Sequence, residues 1–195
     1  MTAITTKPMT REEWLLAATN LLRADFATVD AEIPEKVRAT CGWPSQGGRP
    51  GKKQRIGEVW PPSCSEDGTT EIFINPMMSE GLEALDVLVH ELVHAAVGCK
   101  EGHKGPFRVT AKAIGLEGKM TATNAGEVLM VRLREIVADL GAYPHAKLTP
   151  KKKKPQGTRM LKLLCPACGY LARTSQKWID LGTPTCACGK KMEAV

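Results

Sequence analysis

The stretch His90-Glu91-Leu92-Val93-His94, with Gly98 and His103 close behind it, decides how the chain is read. On a helix, His90 and His94 stand one turn apart on a shared face, so both imidazoles can reach one metal ion. Glu91 flanks that face, where its carboxylate can reach a water held by the metal. This H-E-x-x-H spacing is that of a zinc hydrolase of the metalloprotease type. Neutral imidazoles leave a fourth zinc position open to water, whose pKa falls to about 7. Glu91 is then the expected general base, taking the water proton and later passing it to the leaving amine.

The surrounding residues extend the motif into a placed element. A helix is expected from about Glu80 to Val97, capped by Ser79, with Leu82, Leu85, Val89, Leu92, Val93 and Ala96 forming a broad apolar surface. Gly98 is a natural C-cap that lets the chain turn back. The loop from Gly98 to Gly105 then carries His103 towards the end of the metal helix as third ligand. Glu117 and Glu127 compete for that role, because some zinc proteases take a glutamate from a later helix. A tetrahedral intermediate also needs an electrophilic partner beyond zinc. Tyr143 and His145 are candidates for it or for substrate contact, although a packed turn accounts for them more simply.

Before the metal helix, Thr10-Arg11-Glu12-Glu13 is a capping box that opens a helix carrying Trp14, Leu15, Ala18, Leu21 and Leu22. Strands are expected over Lys36 to Cys41, Arg55 to Trp60 and Thr70 to Asn75. Bulky neighbours in Glu71-Ile72-Phe73-Ile74 suggest burial on both faces or cover by a helix. If that strand formed a sheet edge over the cleft, an extended peptide could add to it; the alternative is an ordinary interior strand, and the sequence does not choose between them. After the metal helix, Pro106 opens a helix with Phe107, Val109, Ala113 and Ile114, ending around Gly115 to Gly118. Asn124 to Glu127 resembles a second capping box, followed by a helix to Leu140 with Val128, Leu129, Val131, Leu133, Ile136 and Val137 inside.

Near the C-terminus the pairs Cys165-x-x-Cys168 and Cys186-x-Cys188 have the layout of a zinc ribbon. Four thiolates would close the coordination sphere, so this zinc would be structural. Strands are expected at Met160 to Leu164 and Tyr170 to Thr174. Cys41, Cys64 and Cys99 are expected to be buried thiols. From Lys147 through Arg173 there is no acidic residue, and Lys151, Lys152, Lys153 and Lys154 form an unbroken basic run. That run is a candidate nucleic-acid contact, with a solvated linker as the equally weighted alternative. Lys162, Arg173, Lys177, Lys190 and Lys191, with Tyr170 and Trp178 for stacking, make the ribbon a further candidate for nucleic acid, which the preceding basic run favours slightly over docking on the catalytic domain or binding a protein.

A 195-residue chain with 43% hydrophobic and 25% charged residues belongs to the ordinary globular class. No apolar run is long enough to span a bilayer, and Met1 to Arg11 lack the pattern of a signal peptide, so a cytoplasmic protein without membrane partners is expected. Three segments are expected: a metalloprotease domain over 1–146, a basic linker over 147–159 and a zinc ribbon over 160–195.

The chain resembles the SprT-like family of zinc metallopeptidases, to which the Spartan DNA–protein crosslink proteases belong. The likeness is carried by His90-Glu91-Leu92-Val93-His94, by Gly102-His103-Lys104-Gly105-Pro106-Phe107 and by the cysteine pairs. In the family the second segment reads G-H-G-P-x-F; here Lys104 intervenes and Phe107 follows Pro106 directly. In layout it is also similar to compact SprT-like proteins of bacteriophages and their actinobacterial hosts. The resemblance implies an α+β fold with a minimal zincin domain, one catalytic zinc, and proteolysis of DNA-associated proteins. The expected function is therefore that of a zinc metalloendopeptidase acting on protein, with DNA or another nucleic acid as a further partner. One alternative is a catalytically silent zinc protein that binds DNA or acts in transcription. A zinc hydrolase acting on RNA is another, disfavoured by the glutamate directly after His90.

Overall fold

The computed structural model of the protein describes residues 9–51, 54–150 and 160–195. It is a mixed α+β structure with five α-helices and small sheets among the described residues, divided into two units, Met1–Pro150 and Lys151–Val195.

In the first unit, Thr10 opens α1 (Arg11–Ala27) with a complete capping box. Its Oγ1 accepts from the Glu13 amide at 3.2 Å and its own amide donates to the Glu13 carboxylate at 2.7 Å. The apolar stripe Trp14, Leu15, Ala18, Leu22 and Phe26 is buried. Strands β1 (Val37–Cys41), β2 (Gly57–Trp60) and β3 (Thr70–Ile74) form one sheet in the order β1-β3-β2. β3 runs parallel to β1 and antiparallel to β2, so it is the central strand. Its burial alternates, with Thr70, Ile72 and Ile74 buried and Glu71 and Phe73 only partly so. The sheet is thus helix-covered on one face, with β1 and β2 at its edges, so of the two alternatives open for Glu71 to Asn75 it is the interior strand that forms.

Helix α2 (Gly81–Val97) buries ten of its residues and packs against β2, β3, α3 (Pro106–Ala113) and α4 (Glu127–Leu140). Leu85, Leu88 and Leu92 are fully buried, each stabilising the fold by about 1.5–3 kcal/mol. The expected cap differs, because Glu80 holds the N-cap position with no side-chain hydrogen bond and Ser79 lies one residue outside. Gly98 ends the helix as expected, at φ 99°, a backbone angle that side chains disfavour.

Between α3 and α4 lies a hairpin that helix periodicity did not announce, formed by β4 (Leu116–Lys119) and β5 (Ala122–Ala125). Pairing of Asn124 with Glu117 uses up the residues expected to cap α4, whose N-cap is Gly126 without a side-chain bond. Only Leu129, Leu133 and Ile136 are buried on α4. Val128 is 86% exposed and Val131 50%, because a single stripe of this surface helix meets the core. Val109 of α3 is likewise exposed.

The second unit contains β6 (Leu161–Leu164), β7 (Leu171–Thr174), α5 (Gln176–Leu181) and β8 (Glu193–Ala194), with sheet order β7-β6-β8. Its buried cluster is small: Leu163, Cys165, Cys186 and Met192, joined by Ala172 and Ile179. The segment expected as linker is in part tied to the first unit, since the Leu148 amide donates to Pro76 O at 2.8 Å. The basic run Lys151 to Lys154 lies outside the described residues. Among the described residues, no helix is long and apolar enough to cross a membrane.

Candidate metal centres

Helix geometry does for His90 and His94 what their spacing requires, setting both rings on one face of α2. His103 is returned to them by a turn that Gly98, Gly102 and Gly105 make affordable, with φ of 99°, 59° and 50°. Its Nε2 lies 3.3 Å from His90 Nε2 and 3.2 Å from His94 Nε2. Zinc–nitrogen bonds of 2.0–2.1 Å in a tetrahedron separate neighbouring nitrogens by about 3.3 Å, so the convergence is that of one small cation's ligands. Phe107, fully buried in the first turn of α3, backs all three rings, with centroids 5.0, 4.2 and 5.0 Å from His90, His94 and His103. Neither Glu117 nor Glu127 belongs to this group; Glu117 is exposed on β4.

The electrostatics suit ligation. Burial, reinforced by the neighbouring histidine His103, lowers His90 to about 4. Burial and both other imidazoles lower His94 to about 3, and burial lowers His103. All three are therefore neutral at pH 7, the form that donates a lone pair to a metal. His90 Nδ1 lies 2.7 Å from Thr123 Oγ1, whereas His94 Nδ1 is buried without a partner among the described residues.

Glu91 is only 7% exposed, and burial, with a smaller push from Glu58, raises its carboxyl to about 8. A dication on the imidazoles would pull that value down again. Glu91 and the three histidines line one cavity of ≈ 470 Å³, walled by Arg55 to Val59 on one side and Thr121 to Thr123 on another. Gly57 matters here, because a Cβ on it would lie 2.5 Å from Glu91 Oε1 and 2.6 Å from Val87 Cγ1. Glycine therefore lets the carboxylate lie against the edge strand. Asn75, fully buried, ties down the approach to β2, its Nδ2 donating to Gly48 O at 2.6 Å and Arg55 O at 2.7 Å. A cavity of similar size, ≈ 510 Å³, runs along α1 and β1 but is lined by no histidine or cysteine.

Tyr143 and His145 are not brought to this site by any contact they make. The Tyr143 ring packs 5.0 Å from Trp14, and burial raises its phenol well above its ordinary value. His145 Nε2 lies 2.9 Å from Pro76 O and its Nδ1 3.3 Å from Arg11. They close the turn after α4 over α1. Of the remaining thiols, Cys99 is half-buried in the cavity wall and Cys41 half-buried, but Cys64 is exposed at the end of the short turn Pro62–Cys64. The expectation of burial fails at Cys64 because that turn leads away from the core.

In the second unit, two tight turns point four sulfurs inward, all within 4.8 Å of one another. Cys165 Sγ is 3.4 Å from Cys188 Sγ and Cys168 Sγ 3.5 Å from Cys186 Sγ, far longer than a disulfide. Each turn closes on a glycine in the left-handed region: Gly169 donates to Cys165 O at 3.0 Å and Gly189 to Cys186 O at 2.8 Å. The shorter C-x-C pair thus makes the same kind of knuckle as C-x-x-C. Backbone amides, that of Cys168 foremost, hold the Cys165 thiol down to about 6. Both groups can therefore bind metal ions, and their donor types are compatible with zinc.

Comparison with protein-family models, with curated proteins and with solved structures gives no match. The residues that motif reading left out are Gly57, Asn75 and Thr123. None carries a spacing signal, since each acts on the site from a different strand or strand end.

Proposed function

We propose that the protein is a zinc-dependent endopeptidase of the SprT-like kind, with a minimal zincin domain followed by a zinc ribbon. The observation that carries this reading is the convergence of three neutral imidazoles on one point in an open cavity, beside the buried Glu91 carboxylate. A closed structural site would not leave ≈ 470 Å³ beside its ligands. His90, His94 and His103 would hold zinc, which when bound supplies a Lewis acid and makes water a nucleophile near neutral pH. Glu91 takes the proton of the attacking water and delivers it to the leaving amine. An extended peptide is held by pairing with the free edge of β2, which forms the cavity wall. Among the described residues Arg55 is the one lysine or arginine lining that cavity; it is paired with Glu58 at 3.0 Å and would have to share its guanidinium to polarise a carbonyl.

The ribbon supplies the second part of the proposal. Tyr170 and Trp178 are 61% and 57% exposed, and Lys177 Nζ lies 5.3 Å from the Trp178 ring centre. Exposed rings in a unit that also carries Lys162, Arg173, Lys190 and Lys191 are what the bases of a single-stranded nucleic acid would stack on while its phosphates are neutralised. The enzyme would thereby act on proteins associated with nucleic acid. The same surface favours the second reading, a DNA-binding module without catalysis.

Two zinc ions per chain are expected in purified protein, and Glu91→Gln should keep both while losing about 10²–10⁴-fold in cleavage of a disordered protein substrate, with or without DNA. Equal rates for wild type and Glu91→Gln would hand the case to the non-catalytic module.

A further inference from the structure

The nitrogen of His90 that faces away from the other histidines is not idle. Its Nδ1 lies 2.7 Å from Thr123 Oγ1, and Thr123 itself lines the cavity. Thr123 reaches that position because the β4–β5 hairpin runs alongside α2 and packs against it. Two residues on, Ala125 lies beside Asp86, one turn before His90 on the same helix. Residues two apart on a strand share a face, so Thr123 and Ala125 meet α2 from the same side of β5. The hairpin is therefore a brace along the metal helix. The two helix ligands differ in consequence, since His94 Nδ1 has no partner among the described residues.

We propose that Thr123 is the positioning residue for His90, accepting a hydrogen bond from Nδ1–H and so fixing both ring orientation and tautomer for metal binding through Nε2. The direction of the bond follows from the other end of the ring. His90 Nε2 stands 3.3 Å from His103 Nε2, and a metal between them needs both nitrogens bare. The ring's one proton must then sit on Nδ1, where only an acceptor can hold it, and a threonine oxygen accepts as readily as it donates. Were the hydroxyl the donor, the proton would be driven to Nε2, where it would block the metal. Partners of this kind are worth about 10–100-fold in metal affinity. This inference rests on the proposed histidine metal site, and its test separates the two.

The experiment is zinc titration of the full chain against a chromophoric chelator, using the four-cysteine site as internal reference. Thr123→Val keeps the shape and β-branching but removes the acceptor; Thr123→Ser keeps the hydroxyl. Thr123→Val should weaken the histidine-site zinc about 10–100-fold, leave the cysteine-site zinc unchanged, and broaden the ligand-field spectrum of the cobalt-substituted histidine site. Thr123→Ser should restore affinity to within a few-fold of wild type. If Thr123→Val binds zinc like wild type, the inference falls and the metal site stands. Loss of zinc from Thr123→Ser as well as Thr123→Val makes the effect one of packing and also overturns it. If the wild type takes up zinc at the cysteines alone, the site reading fails and the inference with it.

Discussion

The histidine and cysteine centres are built in opposite ways. At the histidines the fold comes first: α2 is held by a large apolar core including Trp14, Phe26, Leu85, Leu88 and Leu92, and the imidazoles are arranged upon it. At the cysteines the site comes close to being the fold. Of the four buried residues in that unit's core, Cys165 and Cys186 belong to the group that could hold a metal, and only Leu163 and Met192 are left to pack. One centre opens onto a cavity and needs groups from β2, β5 and α3 to orient it. The other is formed by two turns whose closing hydrogen bonds are local, with Cys165 and Cys186 buried and Cys168 and Cys188 exposed. A metal at the first would be a reagent, and at the second a strut.

Metal removal should expose that difference most sharply. Apparent zinc binding energies of about 10–16 kcal/mol in zinc-finger peptides are folding energies, and a unit with so small a core has little to replace them. Chelation, or Cys168→Ser, is expected to unfold the second unit while the first keeps its helices. Hydrogen exchange measured unit by unit reads this directly. Protection retained across β6 and β7 without metal would break the contrast.

The next effect belongs to Glu91. In the metal-free protein a carboxyl raised from 4.5 to about 8 keeps its proton in the folded chain where the unfolded chain releases it. Stability contributed by that proton is therefore present below pH 4.5 and lost as pH rises towards 8. Glu91→Gln removes the dependence, so the variant without metal should become the more stable, by on the order of a few kcal/mol near pH 8. Urea melts of both proteins from pH 4.5 to 8 should diverge with rising pH, and parallel curves would remove Glu91 from its buried place.

A smaller effect is expected at Gly57, whose substitution tests how far the open centre depends on a strand that supplies no ligand. Gly57→Ala puts a methyl group 2.5 Å from Glu91 Oε1, and displacing a catalytic group by about 1 Å can cost up to 10²-fold. The rate constant should fall about 10–100-fold while zinc content and the cysteine unit stay as they are. An unchanged rate would show that the carboxylate need not rest against β2.

Much of this contrast was legible in residue spacing. The i, i+4 pair His90 and His94, the glycine that ends their helix, the returning His103 and the two cysteine pairs are local patterns, and helix and turn geometry convert them into position without help from distant chain. The Thr10 capping box read correctly for the same reason. Readings failed where a local signal met a tertiary competitor. Asn124 looked like a cap but is paired in β5, and Val128 looked like core but falls outside the one stripe of α4 that packs. Tyr143 and His145, for which a packed turn was the simpler expectation, are engaged with Trp14, Arg11 and Pro76.

By itself, then, the sequence determined the two groups of side chains that could hold a metal and the helix that carries two of the histidines, because donor type and capping are read at short range. Only the tertiary structure decided that β2 is an edge strand and β3 an interior one, that Gly57 lets Glu91 lie against β2, that Phe107 backs His90 and His94 and that Thr123 meets His90. Those are contacts between segments far apart in the chain. Strand order and packing create them, and no periodicity within a single segment encodes strand order.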